Sequence, residues 1–61
     1  MNTQDAVTHV LAERKITKYR LAMELGCDPT SVNQWLRNTK MSEHYKKVFH
    51  NLYGIEIDDT L

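Results

Sequence analysis

Sixty-one residues make one small domain at most, spanning 1–61, with a limited core and little stability in reserve as a monomer. With 41% hydrophobic and 26% charged residues the composition is that of an ordinary soluble chain; no apolar run approaches the roughly 20 residues of a membrane span, the polar N-terminus lacks the apolar stretch of a signal peptide, and an enzyme pocket of usual size has no room beside a core. The formal net charge is zero, which taken as a bulk property argues against a nucleic-acid partner, and the single cysteine, Cys27, forms no internal disulfide and suits a reducing cytoplasm.

In chain order, residues from Asn2 to about Arg14 read as a first helix. Asn2 or Thr3 caps it, and Asp5 sits in the first turn, where the helix dipole favours an anion. Ala6, Val7, Val10 and Leu11 form its apolar stripe, with His9 and Glu13 away from it. Arg14 and Lys15 put positive charge at the C-terminal end, and Ile16 plugs the core before the next element.

Thr17 to Asn38 reads as two short helices around a tight turn. Thr17 is the N-cap of a helix from Lys18 to Leu25 whose apolar face holds Leu21, Ala22 and Leu25. Gly26 stops it, because glycine takes the left-handed conformation without a Cβ clash. Cys27 follows as a small apolar plug. Asp28 and Pro29 restart the helix, as N-cap and first helical residue. Val32, Trp35 and Leu36 make the apolar stripe of the second helix, with Trp35 in the core, and Thr30, Asn33, Gln34 and Arg37 lie on its other faces. Two helices crossing steeply over a short turn need a small residue at the contact, which Ala22 supplies.

Asn38 is suited to a left-handed exit from the second helix. Ser42 caps a fourth helix running from Glu43 to about Tyr53, with Tyr45, Val48, Phe49 and Leu52 as its stripe and Gly54 as its stop. Lys46 and Lys47 read as a solvated face. The tail from Ile55 to Leu61 reads as a helical turn or irregular. A strand is the alternative, because Ile55-Glu56-Ile57 alternates, and it would make sense mainly if it paired with a second copy.

Charge is polarised along the chain. Between Arg14 and Lys40 stand six bases, Arg14, Lys15, Lys18, Arg20, Arg37 and Lys40, against Glu24 and Asp28, a net +4. The remainder carries −4, with Lys46 and Lys47 against six acids. The positive share falls on the two-helix stretch. No pair among His9, His44, His50 and Cys27 has a usual metal-ligand spacing, and no glycine-rich phosphate loop or catalytic acid/base pair is visible, so no metal, cofactor or enzymatic activity is expected.

Leu21-Ala22, Leu25-Gly26, Cys27, Val32 and Trp35, at that spacing, resemble the helix-turn-helix of phage Cro and repressor proteins and their bacterial relatives. Two positions depart from the family pattern: Lys18 stands where Gln is common, and Leu36 where relatives carry a polar residue. The resemblance implies an all-α, four- to five-helix bundle of lambda-repressor type. It also implies a repressor that binds double-stranded operator DNA in the cytoplasm of a bacterial host, as a weak homodimer on a palindrome, without a small-molecule effector. On that pattern Pro29, Thr30, Asn33 and Gln34 are the base-contacting candidates. Lys18, Tyr19, Arg20, Ser31, Arg37 and Lys40 are the phosphate candidates, Ser31 being equally suited to meet the preceding helix. Leu36, Ile55, Ile57 and Leu61 are apolar residues left over for a dimer interface, the alternative being that they cap the monomer core. Asp28 is read as a cap, with acceptance from a cytosine amino group as a second role. Other functions stay open: a mobile-element accessory or antitoxin-type DNA-binding protein, or a protein-interaction module that kept the fold and lost the DNA.

Overall fold

A computed structural model describes residues 1–37 and 39–59. Four helices follow one another: α1 (Thr3–Arg14), α2 (Lys18–Leu25), α3 (Pro29–Leu36) and α4 (Glu43–Tyr53). Among the described residues there is no strand.

The ends of the helices follow from local chemistry. At α1 the cap is Asn2, whose Oδ1 accepts from the Asp5 N–H at 2.8 Å. Thr17 Oγ1 accepts from the Arg20 N–H at 3.2 Å, and Ser42 Oγ from the Tyr45 N–H at 3.5 Å. Gly26 has φ +74°; its N–H reaches the Met23 carbonyl at 3.3 Å while the Cys27 N–H reaches the Ala22 carbonyl at 2.9 Å. That reciprocal pair satisfies two carbonyls that the end of α2 would otherwise leave open. At the end of α1 the left-handed position falls on Lys15, at φ +52°, with no glycine to ease it. The expected left-handed turn at Asn38 lies outside the described residues.

Asp28 corrects one expectation. It has the extended backbone of an N-cap, yet its side chain makes no capping hydrogen bond. Its backbone carbonyl accepts from the Ser31 N–H at 3.0 Å, and Pro29 at the first helical position has no N–H to satisfy.

One buried cluster joins all four helices: Ala6, Val7 and Val10 from α1, Leu21, Ala22 and Leu25 from α2, Val32 and Trp35 from α3, and Phe49 from α4, with Met41 from the loop before α4. Leu11, Ile16, Cys27, Tyr45 and Val48 pack against it. Leu52 departs from the expected stripe: it is 45% exposed. Tyr53 packs in its stead, its ring edge on Phe49 at 4.9 Å between centroids. The physical reason is helical phase: Tyr45, Phe49 and Tyr53 follow one another at i, i+4 and i+8 on one face, and the Tyr53 hydroxyl at the rim donates to Glu24 of α2 at 3.4 Å.

The tail crosses back over the bundle. Ile55 and Ile57 are half-buried against the core and alternate with exposed Glu56 and Asp58. The period of two is therefore present in an extended strap that lies on the monomer. The strap is fastened at Thr3, a residue only 2% exposed. The Thr3 N–H and hydroxyl donate to the two oxygens of Asp59 at 2.8 and 2.6 Å, and the same hydroxyl accepts from the Met41 N–H at 3.0 Å. Lys46, expected in solvent, is only 20% exposed in its side chain, with Nζ 3.4 Å from Asp59 and 3.7 Å from Glu43. Burial pushes the Asp59 carboxyl upward, but the Thr3 hydrogen bonds and Lys46 together hold it below its ordinary value.

Candidate nucleic-acid interface

In α3 the core takes Val32 and Trp35, with Leu36 beside them. Trp35 is fixed by its tilted contact with Tyr45, 5.6 Å between centroids. At 100° per residue the opposite arc holds Thr30, Asn33, Gln34 and Arg37, and all four are exposed. Pro29 and Ser31 flank that arc and are half-buried. The end of α3 is closed by the Arg37 N–H, shared among the carbonyls of Asn33, Gln34 and Trp35, by the Thr39 N–H on the Gln34 carbonyl at 3.0 Å, and by Gln4 of α1, whose Nε2 donates to the Leu36 carbonyl at 3.1 Å. Gln4 escaped the sequence reading, since nothing local marks a surface glutamine as the partner of a helix end 32 positions away.

Three of the phosphate candidates, Lys18, Tyr19 and Arg20, form the exposed first turn of α2. Arg37 and Lys40 are exposed at and beyond the end of α3. Arg20 is partly engaged: its Nε donates to Glu24 Oε2 at 3.2 Å, and the other oxygen of Glu24 accepts from the Tyr53 hydroxyl. Arg14 lies 4.8 Å over the Tyr53 ring. Burial first, and the Glu24 carboxylate next, push the Tyr53 phenol up, with Arg14 and Arg20 opposing. Cys27 is half-buried, and burial together with nearby Asp28 raises its thiol above the ordinary value, the opposite of what a nucleophile needs.

Leu36, Ile55 and Ile57 are half-buried on the monomer's own core, which leaves part of each side chain at the surface. Leu61 lies outside the described residues. An open depression lined by Glu43, Lys46, Lys47, His50, Glu56 and Ile57 sits on α4 and the strap, away from α2 and α3. Among the described residues no group of three or more His, Cys, Asp or Glu side chains converges to hold a metal ion, and no helix is long and apolar enough to cross a membrane. Compared with known proteins, the chain matches no family model, no curated protein and no solved structure.

Proposed function

We propose that the chain is a non-enzymatic, sequence-specific binder of double-stranded DNA, a helix-turn-helix repressor similar to Cro, acting in a bacterial cytoplasm. One observation carries the reading. The helix following a tight, glycine-stopped turn is packed on one side by Val32 and Trp35 and presents on the other an exposed arc of Thr30, Asn33, Gln34 and Arg37. Such an arc matches what a recognition helix needs in a major groove. Asn33 and Gln34 can each pair with adenine at N6 and N7, and Thr30 can hydrogen-bond or meet a thymine methyl. Pro29 offers only apolar contact. Lys18, Tyr19, Arg20, Ser31, Arg37 and Lys40 would hold the flanking phosphates, supported by the backbone N–H groups at the start of α2.

A helix of this length covers few base pairs, so the working form is a weak two-fold dimer on half-sites about 34–36 Å apart. The surface portions of Leu36, Ile55 and Ile57 are available for that contact.

The test is titration into random duplex DNA over a salt series, followed by selection from a random duplex library. Four phosphate-binding cations per subunit, Lys18, Arg20, Arg37 and Lys40, give a log–log salt slope of about −3 to −4 per subunit. Recovery of a palindrome completes the reading. A second reading, a protein-interaction module, draws on the zero net charge and on Tyr19 and Met23, which stand 74% and 77% exposed one turn apart on α2. Absence of any salt-dependent DNA binding would favour it.

A further inference from the structure

We propose that Asp28 is a specificity-determining residue that reads a cytosine in the major groove; this rests on the DNA-binding reading above. A carboxylate at the start of a recognition helix opposes association with a polyanion. Capping would explain its presence, but its side chain accepts no backbone hydrogen bond, and the Ser31 N–H is already satisfied by the Asp28 carbonyl. The side chain is exposed and, among the described residues, makes no ion pair. It immediately precedes Pro29 and Thr30, at the end of α3 that would enter the groove first.

An ionised carboxylate only accepts. In the major groove guanine offers O6 and N7 and thymine offers O4, all acceptors, so both repel it. Adenine has an N6 amino donor, but the N7 lone pair lies beside it. Cytosine presents its N4 amino donor with no acceptor of its own alongside, and it is the base a carboxylate selects. The repulsion from phosphate then acts as a penalty on every site, offset only where cytosine stands opposite Asp28.

The experiment is parallel selection from one random duplex library with wild type, Asp28→Ala and Asp28→Asn, together with affinity for random duplex and a thermal melt of each. Wild type is expected to prefer cytosine by about tenfold at one position per half-site. Asp28→Ala should flatten that position alone while binding random duplex several-fold more tightly. Asp28→Asn should move the preference toward adenine, because the amide both accepts from N6 and donates to N7. Both variants should melt within a few degrees of wild type, since no capping bond is lost and the charge–dipole contribution of an exposed carboxylate is small; should Asp28→Ala fail to fold, the near-isosteric Asp28→Asn decides alone. An unchanged set of selected sequences, or tightening that is uniform across all sequences, overturns the assignment and leaves DNA recognition standing. Wild type that selects no sequence at all overturns both.

Discussion

Asp59→Ala removes the fastening of the strap. Asp59 accepts two hydrogen bonds from Thr3 and pairs with Lys46, in a site where its side chain is only 7% exposed. Hydrogen bonds to a charged group contribute about 1.5–3 kcal/mol each. The two share one carboxylate and are not additive, and water reaches the Thr3 N–H once the strap lifts, so the expected loss is about 2–4 kcal/mol in all. For a domain of this size that is a drop in Tm of about 10–30 °C. The carboxyl is held below its ordinary value of 3.8 in the folded chain. Its stabilisation is therefore complete above the ordinary value and disappears as pH falls through the lower folded one. Urea denaturation followed by circular dichroism, at neutral pH and in steps below pH 4, should show wild type losing stability in acid and Asp59→Ala lacking that portion of the loss. A melt within about 2 °C of wild type at neutral pH would refute the reasoning, because no arrangement of the strap makes two such bonds worth nothing.

Gly26→Val should cost about 1–2 kcal/mol from the left-handed backbone alone, since a Cβ there meets nothing within 4 Å; equal melts would show that the turn relaxes. Asn33→Ala should cost roughly 1–3 kcal/mol of base discrimination with the fold intact, and equal weakening on operator and random DNA would remove it from base readout. Arg37→Ala or Lys18→Ala should weaken both DNAs alike and shallow the salt slope by about one, as a titration at several ionic strengths reads directly. Sedimentation at rising concentration should reveal a weak dimer; a monomer throughout that also occupies its operator singly would exclude it.

The four helices were legible because their determinants are local. Thr17 and Ser42 cap residues three positions on, and Gly26 and Gly54 adopt positive φ where the helix pattern stops. The exposed arc on α3 follows from the same periodicity that buries Val32 and Trp35. What stayed hidden depends on partners far along the chain. Nothing near Met41 announces that its N–H will find Thr3, nor near Lys46 that a carboxylate 13 positions later will cover it. Leu52 and Tyr53 are neighbours that suit a core almost equally, and the phase set by Tyr45 and Phe49 against the other helices decides between them. Asp28 has the residue type and backbone of a cap; only the absence of a side-chain capping hydrogen bond separates cap from free acceptor.

The Thr3 hydroxyl ties together segments 38 and 56 positions distant from it. Closing so long a loop has an entropic cost that precedes any contact rewarding it, whereas α1 to α4 form from near neighbours. If the strap docks after the rate-limiting step of folding, the energy it supplies appears almost wholly in the barrier to unfolding. Removing about 2 kcal/mol at Asp59 should leave the refolding rate nearly unchanged and raise the unfolding rate about 30-fold. For a chain this small, the lifetime of the native state would then depend on a single carboxylate as well as on its buried apolar cluster.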